Sequence, residues 1–261
     1  MTHRGFSLLG NLAVVNFPFD AKLKDKKKFA EEILKSNKSI KTVVEKSEIF
    51  KGRLRKMKTN HLAGEKTKEV LYRENGCTFR FNIDETYFSS RLSNERKELA
   101  VKIKKNSEVL VMFAGVAPLP IVVAKMSKAK KVYSNEINRK ANQYAQLNIE
   151  RNKLKDRVEL LPGDIKKVAK KLKEKKKTFD YILMPRPQLK DSFLQEAFML
   201  SKKGTEIYYY DFCMYDGIPL IVDKIKNEAK KAKKKIKILK TKSAGELAPY
   251  KIRCRVDFKV V

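Results

Sequence analysis

The sequence predicts an α/β protein, a mixed sheet covered by helices on both faces, preceded by a small α+β module. Three observations predict it. Seven short runs rich in β-branched or aromatic residues recur from Val109 to the C-terminus, most of them separated by amphipathic helical stretches. The first of these, 109–113, is apolar throughout, as a strand buried on both faces should be, and Ala114-Gly115-Val116-Ala117-Pro118 then breaks it. Upstream, residues 6–83 mix strand and helix patterns around the hairpin turn Asn75-Gly76, where both residues tolerate positive φ.

At 261 residues and 42% hydrophobic content, the chain can bury a sizeable core in one large or two modest domains. Its 61 Lys+Arg against 30 Asp+Glu leave a formal charge of +31, more than solubility requires, which favours a polyanionic partner. Individual lysines in the runs 166–177 and 224–237 sit at helical spacing between apolar residues and read as ordinary solvated faces. Cys77, Cys213 and Cys254 are odd in number and form no C-x-x-C pair, so they read as reduced, buried small residues of an intracellular protein. With only His3 and His61 besides, no metal site is expected. The longest apolar run, 109–124, contains Gly115, Pro118 and Pro120 and falls short of the ~20 residues of a spanning helix. The N-terminus has no signal-peptide layout. These features predict a soluble cytoplasmic monomer without membrane contact.

In chain order, 8–17 reads as a strand after a glycine turn, closed by Pro18. Residues 20–36 read as a helix, and 39–47, 53–58, 69–74 and 77–82 as short strands. Arg53 and Arg55, at alternate positions, share one face of their strand, as a nucleic-acid contact or as a solvated face. A loop leads to a helix over 92–104 carrying Glu95 and Arg96, which on spacing alone are exposed helix charges. After the 109–113 strand, Gly115 lets backbone approach a ligand, and Pro118 or Pro120 suits a first helical turn. The strand 131–135 ends at Glu136, about 20 residues after the glycine turn, the separation at which such sheets place a carboxylate on ribose hydroxyls. Next come a helix at 139–153, a strand at 157–161, and Asp164, which can cap the following helix or accept from an adenine amino group. The strand 179–184 ends in Pro185-Arg186-Pro187, at the carboxyl end of the sheet, where ligands gather. Strand 205–212 holds Tyr208, Tyr209 and Tyr210, which could stack on a base but read mainly as core; a helix at 218–234 and strands at 235–242 and 250–261 complete the chain.

Phe113-Ala114-Gly115-Val116 and Glu136-Ile137-Asn138, preceded by Tyr87-Phe88-Ser89-Ser90-Arg91-Leu92-Ser93-Asn94-Glu95-Arg96, resemble the archaeal and eukaryotic tRNA (guanine-N1)-methyltransferase family, which acts next to the anticodon. The resemblance runs from about residue 8 to the C-terminus, and its most specific part is 87–96. It implies a small RNA-binding module at 1–83 and, at 84–261, a Rossmann-like class I S-adenosylmethionine-dependent methyltransferase domain with a mixed seven-stranded sheet. It further implies transfer of the S-adenosylmethionine methyl to guanosine N1 of tRNA, without a metal. Glu95 is then the general base, with Arg96 and Arg91 beside O6 of the base. Phe113, Gly115 and Pro187 would hold the donor with Glu136 on its ribose and Asp164 on its adenine, while Arg53, Arg55, Tyr87 and Arg186 would contact RNA.

Four positions depart from the family's pattern. Ser90 stands for a proline, Val111 for an aspartate, Ala117 for a second glycine, and Pro185 for an asparagine whose amide would read a guanine edge. The chain as given also starts at the small module, without the N-terminal domain by which archaeal members grip the tRNA corner. Two other functions therefore compete: an aminocarboxypropyl transferase of the wybutosine pathway using the same donor, and a non-catalytic RNA-binding relative.

Overall fold

The computed structural model describes residues 5–47 and 57–261. The chain opens with β1 (Phe6–Leu9) and β2 (Leu12–Val15), paired antiparallel. The single strand expected over 8–17 is thus a hairpin. Gly10 turns it at φ +59°, and a Cβ there would run into the Leu71 carbonyl, so only glycine permits the turn and its close packing. Helix α1 (Leu23–Ser36) buries Ala30 and Ile33 against β2 and β3 (Thr42–Lys46), in a small core with Val15, Val43 and Leu62. With β4 (Thr59–Gly64) these strands form a sheet in the order β1-β2-β3-β4. The expected strand at 53–58, with Arg53 and Arg55, lies largely outside the described residues.

Next come the hairpin β5 (Glu69–Glu74) and β6 (Cys77–Asn82), α2 (Ser93–Lys102), β7 (Glu108–Val111), α3 (Pro118–Met126), β8 (Lys131–Glu136) and α4 (Arg139–Arg151). They are followed by β9 (Val158–Pro162), α5 (Ile165–Glu174), β10 (Phe179–Met184), α6 (Leu194–Met199), β11 (Ser201–Met214), α7 (Ile218–Lys231), β12 (Ile236–Ala248) and β13 (Lys251–Val260). The large sheet runs β12-β13-β11-β10-β7-β8-β9, parallel except for β13, which is antiparallel to both neighbours. Val109, Leu110 and Val111 are fully buried, as is Ile182 beside them, because helices cover both faces.

The β5–β6 hairpin turns on Asn75 and Gly76 at φ 48° and 70°. Its Val70, Phe79 and Phe81 share one core with Leu99, Val109 and Val116. Asn148 of α4 and Asn152, which caps its C-terminus, hydrogen-bond the backbone of Arg80 and Thr78. A boundary after residue 83 therefore cuts the hairpin from the body it is bonded to.

From β7 the chain winds through β8 and β9 to one side, then returns through β10 and β11 to the other. The order reverses between β7 and β10, so their carboxyl ends part there and leave a crevice. No helix among the described residues is long and apolar enough to cross a membrane. Cys77 and Cys254 are buried free thiols and Cys213 is a half-buried one.

Candidate active site

The crevice opens beside the segment after β7, which is tightly bent. Phe113, Gly115 and Ala117 have φ of 59°, 58° and 64°, three left-handed residues in five. Such backbone costs an L-residue about 1–2 kcal/mol, and it clusters where a loop is held open for function. The Gly115 N–H donates to the Glu136 carboxylate at 2.8 Å, and the Asn138 N–H donates to its other oxygen at 2.7 Å. Glu136 is thereby fixed at the end of β8 on the crevice rim. Burial pushes its carboxyl above the usual range, against the pull of these N–H groups. A Cβ on Gly115 would sit 3.2 Å from the Tyr87 carbonyl oxygen, so the bare backbone forms part of the crevice wall.

Two adjoining cavities of about 90 and 80 Å³ occupy the crevice, sharing Tyr87, Leu92, Phe113, Gly115, Pro185 and Arg253. Glu136 and Pro187 line the first, and Glu95 and Tyr210 the second. Both adjoin a wider cleft of about 450 Å³ toward β1 and the β12–β13 hairpin, lined in part by Leu8, Lys46, Arg91 and Leu247.

Glu95 reaches its cavity because the segment before α2 is pinned from several sides. Phe88 stacks on Phe81 with ring centroids 4.6 Å apart and lies 5.0 Å from Tyr72. The Asn75 amide donates to the Ser93 carbonyl at 3.0 Å. Arg96, one position on, forms a buried two-pronged pair with Glu74, each bond 2.5 Å. The Glu95 carboxylate itself accepts from the Tyr210 hydroxyl at 2.7 Å, from Lys242 at 2.9 Å and from Arg255. Arg255, fully buried, also holds Glu98 and Asp257. Burial would raise the Glu98 carboxyl, but hydrogen bonds from Lys242 and Arg255 bring it down to about 2.

The structure brings Glu95, Phe113, Gly115, Glu136, Pro187 and Tyr87 to one crevice, while Arg91 lines only the wider cleft. Asp164 caps α5 through the Lys166 N–H and is not among the residues lining the cavities. Two expectations are corrected. Arg96 does not stand free beside a base: its Nε and one terminal nitrogen are held by Glu74 and the Ser89 carbonyl. Arg186 is not an RNA contact on the surface: it is 2% exposed, with its terminal nitrogens on Asp211 and on the Leu189 and Asp191 carbonyls. Sequence reading missed Arg255 and Arg253, and it read Tyr210 as core or a stacking ring, not as a donor to Glu95. Val111, at the position of an expected aspartate, is core.

The crevice can therefore hold an elongated ligand against the Gly115 bend, with Glu136 at one end and a fixed carboxylate, Glu95, at the other. Among the described residues, no group of three or more His, Cys, Asp or Glu side chains could hold a metal ion.

The TRM5/TYW2 methyltransferase domain family matches residues 70–239, and the TYW2 N-terminal domain family matches residues 1–67. The tRNA (guanine(37)-N(1))-methyltransferase Trm5b of Pyrococcus abyssi is 31% identical over 98% of this chain and 74% of its own. The tRNA 4-demethylwyosine(37)-methyltransferase Taw21 of Saccharolobus solfataricus is 32% identical over 78% of this chain and 76% of its own. The crystal structure of Pyrococcus abyssi Trm5b superposes with a TM-score of 0.85 at 30% identity, covering 98% of this chain and 74% of that one. The structure of aTrm5 in complex with tRNALeu gives 0.84 at 26% identity, covering 98% and 72%.

Proposed function

The chain belongs to the TRM5/TYW2 methyltransferase family, and from that premise we propose that it transfers a methyl group from S-adenosylmethionine to N1 of a guanosine in tRNA, at position 37 beside the anticodon. One observation carries the reading: Glu95 and Gly115 line the same cavity at the point where the sheet order reverses. The name of the Pyrococcus relative and the tRNA complex of a structural neighbour support the substrate.

The crevice fits the donor in two respects. The side-chain-free wall at Gly115 accepts close contact with its methionine part, and Glu136 offers acceptor oxygens to its ribose hydroxyls. When bound, the donor supplies an electrophilic methyl on a sulfonium whose sulfur keeps the bonding pair. The remaining work falls to the protein. Guanine N1 carries a proton at neutral pH, so a base must take it as N1 attacks, and Glu95 is the carboxylate placed to do so. Tyr210, Lys242 and Arg255 hold that carboxylate in one orientation. Fixing base and donor in neighbouring cavities supplies alignment that a bimolecular encounter lacks. The excess of basic residues gives the anticodon arm a surface of opposite sign.

The match of residues 1–67 to a TYW2 N-terminal domain, together with Pro185 at the crevice, favours one second reading, transfer of the donor's aminocarboxypropyl group. Incubating tRNA with donor labelled in the methyl or in the carboxyl carbon separates the two. Methyl label recovered in 1-methylguanosine upholds the proposal; carboxyl label in the RNA replaces it with the second reading.

A further inference from the structure

Arg253 lies on β13 opposite Phe212, and its guanidinium carbon sits 5.3 Å from the centre of that ring. It lines both crevice cavities and the wider cleft, so it stands where a base entering from the cleft would meet the donor. Its Nε is buried and reaches no acceptor among the described residues. A buried donor left unmatched costs about 1–3 kcal/mol, and contact with the Phe212 face does not supply an acceptor.

Among the described residues, the other buried arginines beside the crevice have partners within the protein. Arg96 is taken by Glu74, and Arg255 by Glu95, Glu98 and Asp257. Arg186 also has an unmatched Nε, but both its terminal nitrogens are bonded within the protein. Arg253 shares one face of β13 with Arg255, two residues on, and Arg255 holds Glu95. A carboxylate to take a proton and a cation to face the resulting charge thus meet at one cavity.

We infer that Arg253 is a catalytic residue that donates to O6 of the target guanine. The inference rests on the proposed guanosine methylation. As the N1–H proton passes to Glu95, negative charge spreads onto O6. N1 then forms its bond to the methyl while the S–C bond breaks toward sulfur. A positioned donor at such an oxygen contributes about 10²–10³ in rate. Arg253 thereby sets a cation at the cavity that Glu95 lines, beside a Pro185 that offers no polar side chain.

The test is single-turnover methylation of tRNA by wild type, Arg253→Met and Arg253→Gln across pH and salt. Both variants should lose about 10²–10³-fold in kcat with KM for tRNA within severalfold of wild type, and their rates should rise only at higher pH, because N1 loses its proton less readily. If Arg253→Met fails to fold, Arg253→Gln decides. Unchanged kcat in a folded variant overturns the inference. So does a loss confined to KM with a shallower salt dependence, which marks a phosphate contact instead. A wild-type protein that leaves guanosine unmethylated defeats the parent reading, whereas a methylating wild type matched by its variants defeats this inference alone.

Discussion

The Tyr210 hydroxyl donates to the Glu95 carboxylate across 2.7 Å, joining β11 to the first turn of α2 over 115 residues of sequence. Tyr210 is 2% exposed, and burial, followed by the charge of Glu95, raises its phenol well above the ordinary range, so it stays a neutral donor. It positions the carboxylate. Tyr210→Phe removes one of three donors, worth about 0.5–1.5 kcal/mol. The expected outcome is a kcat loss of up to about tenfold and a shifted pH–rate profile, with KM for the donor unchanged. Rapid-quench methylation across pH checks it; an unaltered profile would deny the contact any role in orienting Glu95.

The Arg96–Glu74 pair is structural and nearly dry, with side chains 6% and 3% exposed. Arg96→Met should therefore destabilise the protein by about 3–5 kcal/mol, since Glu74 would keep a buried unpaired charge. Replacing both residues with methionine should recover much of that loss. Urea unfolding of the single and double variants measures this. A single variant as stable as wild type would show that the pair contributes nothing.

Glu98 gives the fold a signature in acid. Its folded value of about 2 lies below the ordinary carboxyl value of 4.5, so its stabilising contribution is complete above about 4.5 and disappears as pH falls toward 2. Glu136 acts oppositely. Its raised value means that the contribution of its protonated form is lost as pH rises through that value. Melting temperature followed from pH 6 downward should fall less steeply in Glu98→Gln than in wild type. Parallel curves would show that Lys242 and Arg255 do not stabilise the charged carboxylate.

The centre of the sheet was legible because β7 and β10 are apolar runs of the right length, and the run at 179–184 coincides with β10. Strand β4 was not, since TNHLAG is largely polar and becomes a strand by pairing with β3. Helix α6 escaped notice because six residues carry too little periodicity. The Gly115 bend and Glu136 could be read from local spacing, as both belong to one strand–turn–helix–strand unit. The fate of the arginines could not. Whether a guanidinium faces solvent or a carboxylate depends on partners far along the chain, such as Glu74 for Arg96 and Asp211 for Arg186. Arg253 lay unnoticed in KIRCRVDFKV for the same reason: its surroundings come from β11, the segment before α2 and the Gly115 bend.

The proposed chemistry meets its sharpest test in mass spectrometry of nucleosides from tRNA incubated with S-adenosylmethionine and either wild type or Glu95→Gln. Wild type should yield 1-methylguanosine, and Glu95→Gln should form it about 10²–10⁴-fold more slowly while binding the donor with nearly wild-type affinity by calorimetry. Equal yields from the two proteins, or no methylated guanosine from wild type, would contradict the account.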